Sequence, residues 1–155
     1  MKNWLTWLQQ LLHLNNLPRW IIISGFVLAL IGFSDAAYLS VKRLNGQIPP
    51  CIITSGCDVV TNSSYSSFGP IPVPVVGAIF YLTTLVLFFI ALETKANKWG
   101  VIALSISPFG FLFSLYFLFI QAFVLHAYCI YCLGSFVTST SIFGLAAYAK
   151  IKKLI

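Results

Sequence analysis

The stretch WGVIALSISPFGFLFSLYFLFIQAFVLHAYCIYCLGSFVTSTSIFGLAAYA, residues 99–149, carries no Asp, Glu, Lys or Arg. As one helix its 51 residues would be roughly 76 Å long, whereas the hydrocarbon core of a bilayer is about 30 Å thick. The segment must therefore cross the membrane twice. A turn at Pro108 would leave the first piece too short to span, so we predict the turn near His126 and a kinked helix at Pro108.

Two further apolar runs precede this stretch, from Trp20 to Tyr38 and from Val73 to Leu92. Only 8% of the residues are charged, against about 25% in a soluble domain, which excludes a soluble or disordered chain. We predict an all-α integral membrane protein, a four-transmembrane-helix bundle that forms a single domain over residues 1–155. The predicted segments are an interfacial helix over 1–19, transmembrane helices over 20–41, 72–92, 99–124 and 127–149, and a polar loop over 42–71.

The first 19 residues differ from the spans because their apolar side chains, beginning with Trp4 and Leu5, recur at helical spacing. This pattern predicts an amphipathic helix that lies along the membrane surface. A cleaved signal peptide is the competing interpretation. It fits less well because the following apolar run continues to Tyr38 and the basic residues lie far from Met1.

The basic residues lie at the ends of the apolar runs and form no single basic face, which favours membrane orientation over nucleic-acid binding. With both termini in the cytoplasm, seven basic residues lie inside and two, Lys42 and Arg43, lie outside. The seven are Lys2, Arg19, Lys95, Lys98, Lys150, Lys152 and Lys153. The positive-inside rule therefore predicts cytoplasmic termini in an inner (plasma) membrane, with the loop over 42–71 on the periplasmic or extracytoplasmic side.

Four cysteines form two pairs on that predicted outer side. Cys51 and Cys57 lie in the loop, and Cys129 and Cys132 lie at the start of the last span. Two structural disulfides, a zinc site and a redox relay are the alternatives. The spacings are unlike those of zinc sites, so we predict no metal. A relay explains why one pair is on a polar loop that a soluble partner can meet, while the other is within reach of a lipid-soluble molecule.

The helical pair has a spacing suited to redox chemistry. Residues three apart share one helix face, with about 5–6 Å between their Cβ atoms, so Cys129 and Cys132 can form a disulfide with modest adjustment. The N-terminus of a helix favours a thiolate, whereas apolar surroundings favour the neutral thiol. The sequence leaves this balance open.

Together these residues resemble the vitamin K epoxide reductase family, and more narrowly its bacterial members. The matching features, in order, are the C-x5-C loop pair Cys51 and Cys57, Ser63, the run Gly77-Ala-Ile-Phe-Tyr81, and the pair Cys129 and Cys132. The resemblance covers the chain from about Trp20 to Ala149.

The resemblance implies a quinone-dependent thiol oxidoreductase. Such a protein re-oxidises a thioredoxin-fold (DsbA-like) partner and passes two electrons to ubiquinone or menaquinone in the membrane. By position, Cys51 would meet the partner, Cys57 would exchange with Cys129, and Cys132 would be the thiolate beside the quinone. Ser63 would help to bind or orient the quinone. Many bacterial relatives carry a thioredoxin-like domain after the bundle, whereas this sequence ends at Ile155, so we expect a separate partner protein.

Two residues at the expected quinone site depart from the family pattern. Val73 stands where the animal enzymes have a polar Asn, and Phe136 stands where they have a Tyr. Apolar contact with a quinone is then favoured over epoxide reduction. Reduction of vitamin K epoxide or quinone by the same relay remains an alternative, as does a non-catalytic membrane protein with structural disulfides.

Two further polar residues have open interpretations. Asp35, near the end of the first span, either reaches the headgroups or provides a proton route, because intramembrane carboxylates are functional candidates. His126 is either a polar turn residue or a base near Cys129.

Overall fold

The computed structural model describes residues 17–50 and 56–154, and these residues are mainly helical. Four long helices are α1 (Arg19–Leu44), α3 (Val73–Thr94), α4 (Asn97–Phe119) and α5 (Ile130–Ile151), and a short helix, α2, covers Cys57–Asn62. Each long helix is apolar and long enough to span a bilayer, α4 together with the turn that follows it. The prediction of an all-α, four-helix membrane bundle is therefore confirmed. The predicted interfacial helix over 1–19 lies almost entirely outside the described residues.

The four long helices form a closed ring in which each packs against two neighbours. Helix α1 packs against α3 and α5, and α4 packs against the same two helices. Close approach of α1 and α3 depends on two glycines of α1, because the rings of Phe88 and Tyr81 occupy the space that a side chain would need at Gly25 and Gly32. The outward faces are apolar, with Leu112 61% exposed. Such faces suit lipid, since water would penalise them.

Helix α4 runs through Pro108, as the span arithmetic required, instead of turning there. Proline has no N–H, so the carbonyl group of Leu104, four residues earlier, loses its usual helical partner. The Ser107 hydroxyl donates a hydrogen bond to this carbonyl at 2.6 Å. The chain therefore satisfies the orphaned group locally and keeps the span intact.

The connection from α4 to α5 turns near His126, where the sequence predicted the turn. Helix α4 continues into a π-helical turn, Ile120–Val124, and His126 has a positive φ of 49°. Helix α5 begins at Ile130, later than the predicted residue 127, because Cys129 is still in an extended conformation. Cys129 is thus the N-cap of α5 and not part of its first turn.

The segment between α1 and α3 is more structured than the polar loop predicted over 42–71. Helix α1 continues through Lys42 and Arg43 to Leu44. After α2, a 3-10 turn covers Ser64–Ser66, and strands β1 (Ser67–Phe68) and β2 (Ile71–Pro72) form an antiparallel hairpin. The Arg43 guanidinium donates a hydrogen bond to the Ser66 hydroxyl at 3.0 Å. We call the end of the bundle that carries this segment and the α4–α5 connection the cysteine end.

Candidate functional site

Cys129 and Cys132 lie at the cysteine end as free thiols one helical turn apart. Cys129 is fully buried, whereas Cys132 is partly accessible. The two residues are the N-cap and the third residue of α5, so both sulfur atoms lie where the backbone N–H groups of a helix have no carbonyl partners. The fold therefore places a dithiol in a buried, locally electropositive position.

Gln121 holds the backbone of Cys129 in place. The π-helical turn closes with a hydrogen bond from the Leu125 N–H to the Ile120 carbonyl at 2.9 Å. Within this turn the side chain of Gln121 is buried, and its Oε1 accepts the Cys129 N–H at 2.9 Å. The sequence reasoning missed this residue. The available signal was that Gln121 is the only amide side chain between residues 99 and 149.

The surroundings of Cys129 favour its thiolate. They lower its pKa from the ordinary 9.0 to about 7, chiefly because the Cys132 thiol donates a hydrogen bond to the sulfur. The N–H groups of Cys132 and Tyr131 face the sulfur as well, although neither makes a capping hydrogen bond of full geometry. Burial and the carboxylate of Asp35 act in the opposite direction but are outweighed. The balance that the sequence left open is thus decided in favour of the thiolate at Cys129, whereas the resemblance implied the thiolate at Cys132.

Cys57 is buried in the same cluster as Cys129. It is the first residue of α2 and is disulfide-bonded, and the cluster also includes Val60. Gly56 makes this approach possible, because a Cβ atom there would come within 2.8 Å of the backbone N of Tyr128. The structure therefore brings together a cysteine of each pair, although they are 72 residues apart in sequence (129 − 57).

Cys51 lies outside the described residues. The residue before it, Pro50, is described, and its carbonyl accepts a hydrogen bond from the Tyr131 hydroxyl at 3.2 Å. Tyr131 belongs to the first turn of α5, between Cys129 and Cys132. The chain that leads into the loop pair is thus attached to the helix that carries the other pair.

A cavity of about 120 Å³ lies beside Cys132 and Cys129. Its walls are mainly aromatic and aliphatic side chains with a few hydroxyl groups. They include Val73, Phe80 and Tyr81 of α3, Phe109, Phe113 and Phe117 of α4, Ser135 and Ser139 of α5, and Ser63, Tyr65 and Ser66 of the loop segment. Concave apolar sites with a few placed polar groups are typical of small-molecule binding.

The residues predicted to contact a quinone are distributed unevenly around this cavity. Val73 and Ser63 line it, and the Ser63 hydroxyl also donates to the Val60 carbonyl at 2.8 Å. Phe136 is not among the lining residues. Its ring lies 6.4 Å from that of Phe111, measured between centroids. Its predicted role stays a prediction without a contact that supports it.

Asp35 faces the interior of the bundle and not the headgroups. The Ser135 hydroxyl of α5 donates a hydrogen bond to its Oδ2 at 2.9 Å, and Ser135 itself lines the cavity. The Tyr81 hydroxyl donates to the Ser135 carbonyl at 2.8 Å and lies 2.8 Å from the Thr138 hydroxyl. A carboxyl group and several hydroxyl groups therefore meet next to the thiols.

The remaining polar candidates are less closely involved. His126 is exposed in the turn before α5. Arg43 lines the cavity at the loop side and adds a positive charge to its wall. Within residues 17–50 and 56–154, no group of three or more His, Cys, Asp and Glu side chains is placed to hold a metal ion.

The model of the vitamin K epoxide reductase family matches residues 23–147, which include all four long helices in whole or in large part and all four cysteines. No curated protein matches the chain.

Proposed function

Since the chain belongs to the vitamin K epoxide reductase family and is a multi-pass membrane oxidoreductase, we propose that it re-oxidises a thioredoxin-fold partner and passes the electrons to a membrane quinone. The observation that carries this proposal is the burial of Cys57 and Cys129 in one cluster, with Cys132 on the wall of an apolar cavity. One cysteine of each pair is thereby part of the same buried cluster, and Cys132 lines the cavity that a lipid-soluble acceptor would occupy.

The first step takes place at the loop pair. A thiolate of the reduced partner attacks Cys51 of the disulfide formed with Cys57, and Cys57 leaves as a thiolate. The second thiol of the partner then attacks its own sulfur in the mixed disulfide and releases Cys51. The partner leaves with a disulfide, and the loop pair holds two electrons as two thiols.

The second step moves these electrons to the helical pair. The Cys57 thiolate attacks Cys129 in the disulfide with Cys132, and Cys132 leaves as a thiolate. Cys51 then attacks Cys57 and restores the loop disulfide. Afterwards the loop pair is again a disulfide and the helical pair is reduced.

The cavity suits an aromatic ring with polar oxygens. Phe80 and Phe113 would pack against the ring, Val73 would add an apolar contact, and Ser63 would orient an oxygen. Ubiquinone and menaquinone both supply an acceptor of two electrons and two protons. Cys129 and Cys132 close their disulfide as they lose the electrons, and Arg43 on the wall favours an electron-rich ligand.

The orientation of the bundle follows from its charges. Lys42 and Arg43 lie at the cysteine end, whereas the other described basic residues lie at the opposite end. These are Arg19, Lys95, Lys98, Lys150, Lys152 and Lys153. By the positive-inside rule the opposite end and the termini are cytoplasmic. The cysteine end then faces the periplasm or the equivalent space outside an inner (plasma) membrane, where disulfides persist.

The test is quinone reduction by the purified protein in lipid, with a reduced thioredoxin-fold protein as electron donor. We expect the wild-type protein to reduce a ubiquinone or menaquinone analogue and Cys132→Ala to lose this activity to background, because the last thiol is missing. Ser141→Ala is the matched control, since its hydroxyl only donates to the Val137 carbonyl of its own helix. Wild-type rates in Cys132→Ala would contradict the mechanism.

The order of the relay has its own test. In Cys57→Ala the loop disulfide cannot form, so the free Cys51 thiolate can attack the disulfide of the oxidised partner, and one partner cysteine leaves as a thiolate. Because Cys57 is not there to resolve this mixed disulfide, we expect the partner to remain attached to Cys51 on non-reducing gels. Attachment through Cys129 instead would contradict the order. Turnover of vitamin K epoxide, measured in parallel, tests the alternative within the family, which the apolar Val73 on the cavity wall disfavours.

A further inference from the structure

Asp35 is a carboxyl group inside the membrane-spanning part of the bundle. It is nine residues from the end of α1 at Leu44 (44 − 35), roughly 14 Å along the helix axis. Intramembrane carboxyl groups are costly and mark sites of function by default. Among the described residues its side-chain partner is the neutral Ser135 hydroxyl and not a cation, so the negative charge is uncompensated.

Reduction of a quinone by Cys129 and Cys132 requires one proton more than the two thiols supply. The loop pair releases two protons when its disulfide is restored, and one of them can convert the Cys132 thiolate to the thiol. If Cys129 then reacts as a thiolate and Cys132 as a thiol, the pair supplies two electrons but only one proton. A quinone takes up two of each when it becomes a quinol. Written out, Cys129–S⁻, Cys132–SH, one quinone and one proton give the disulfide and one quinol. One proton must therefore come from outside the pair.

We propose that Asp35 supplies this proton through the Ser135 hydroxyl, so that the two residues form the proton relay of the cavity. The proposal rests on the proposed function. In the structure Ser135 Oγ donates to Asp35 Oδ2. When the carboxyl group takes up a proton this hydrogen bond reverses, so the carboxyl group donates to Ser135 Oγ and the hydroxyl proton, no longer directed at Asp35, passes to the acceptor in the cavity. The 2.9 Å hydrogen bond between the two side chains and the position of Ser135 on the cavity wall provide this path.

The elements packed around Asp35 hold the path in place. Ser135 lies one helical turn after Cys132, and the Tyr81 hydroxyl donates a hydrogen bond to its carbonyl. The titratable groups that face Asp35 are Tyr81 of α3, and Cys129, Tyr131 and Cys132 at the start of α5. The cations Lys42 and Arg43 are on the same helix, about two turns away. These neighbouring groups are phenols, thiols and cations, whereas Asp35 carries a carboxyl group. Ser135 connects that carboxyl group to the cavity.

Four variants test the relay. Asp35→Asn keeps an acceptor for the Ser135 hydroxyl but carries no exchangeable carboxyl proton, Asp35→Glu keeps the carboxyl group, and Ser135→Ala removes the bridge. Ser34→Ala is the control, since its hydroxyl donates to the Leu30 carbonyl of its own helix on the exposed side. Each protein is reconstituted in lipid, reduced with dithiothreitol, and mixed with a short-chain ubiquinone across a range of pH.

We expect quinone reduction to slow by roughly 100-fold in Asp35→Asn, the low end of what a positioned proton donor contributes. Its pH profile should keep only the dependence of the thiol pair. Ser135→Ala should also be slow, while Asp35→Glu and Ser34→Ala keep most of the rate. Wild-type rate and pH profile in Asp35→Asn would overturn the inference. A wild-type rate in Ser135→Ala alone would overturn the path through Ser135.

A second measurement needs no quinone. The Asp35 carboxylate raises the pKa of Cys129, so Asp35→Asn should alkylate at Cys129 with a midpoint at lower pH than wild type. Asp35→Glu and Ser135→Ala keep the negative charge and should keep the wild-type midpoint. An unchanged midpoint in Asp35→Asn would mean that the carboxyl group is not coupled to the thiols, which overturns the inference. A wild-type protein that reduces no quinone would refute the proposed function, and the alkylation midpoint would still report on the coupling.

Discussion

Helices α2 and α5 each hold a buried cysteine of the same cluster, Cys57 as the first residue of α2 and Cys129 as the N-cap of α5. The two helices differ in length, because α2 has six residues and α5 has 22. In α5 the position of Cys129 is held by a long packed helix and by the Gln121 side chain. Helix α2 buries only Cys57, Val60 and Thr61. A helix this short is unstable alone, so its position depends on the contact of Gly56 with the chain before α5. The comparison teaches that the helical pair is held by the long, rigid element, whereas Cys57 of the loop pair is on the small one.

Of the substitutions that test this difference between α2 and α5, Gly56→Ala is expected to have the largest effect. The new methyl group would lie 2.8 Å from the Tyr128 N and 2.9 Å from its carbonyl oxygen, so α2 must move away from α5. A displacement of about 1 Å between reacting groups can cost roughly 100-fold in rate. We expect this slowing for Cys57–Cys129 disulfide formation by an added thiol oxidant, which takes up the two electrons, measured in protein with both other cysteines replaced by Ala.

Gly144→Ala is the matched control for this substitution. A Cβ atom at Gly144 meets no atom within 4 Å. In Gly144→Ala the Cys57–Cys129 disulfide should therefore form at the same rate as in the protein without this substitution. Equal rates in Gly56→Ala and Gly144→Ala would show that α2 does not depend on the close approach.

An intermediate effect is expected on the α5 side from Gln121→Leu. The Cys129 N–H is buried and would lose its acceptor, which costs about 1–3 kcal/mol of stability. Unfolding in a denaturing detergent measures this loss. Gln121→Glu keeps an acceptor oxygen and should lose less stability, but its negative charge should raise the pKa of Cys129. Identical stability of Gln121→Leu and wild type would mean that α5 alone positions the thiol.

The smallest effect is expected on the rate at which the Cys129 thiol is alkylated. Because the pKa of Cys129 is lowered to about 7, its alkylation rate should rise with pH, reach half of its maximum near that pH, and level off above it. At pH 7 the gain in thiolate over an ordinary thiol outweighs the loss in nucleophilicity by about fivefold. A small alkylating reagent with mass spectrometry measures the profile.

Cys132→Ala tests the cause of that shift. The hydrogen bond from the Cys132 thiol is the largest contribution that lowers the pKa, so its removal should move the midpoint up toward the ordinary value of 9.0. An unchanged midpoint would assign the shift to the backbone N–H groups of α5 instead.

The number of spans and the position of the turn near His126 were predictable because they depend on the length and hydropathy of continuous stretches of sequence. The uncharged stretch 99–149 is too long for one crossing, and hydrogen bonding of the backbone in lipid permits only a helix for each span. The match to the family motifs likewise uses residues close in sequence, such as Cys129 and Cys132. The start of α5 was predicted three residues early, because the extended conformation of Cys129 depends on Gln121 and not on hydropathy.

The sequence by itself determined a four-span membrane protein with two cysteine pairs, since length, hydropathy and charge act residue by residue along the chain. The tertiary structure decided which groups meet. Gly56 lies against Tyr128, and Ser135 binds Asp35 at a separation of 100 residues (135 − 35). It also decided that Cys129 is the buried, thiolate-favouring member of its pair. The physical reason is that contact distance, burial and hydrogen bonding at a thiol or a carboxyl group depend on neighbours from other helices, and these exist only once the helices have packed.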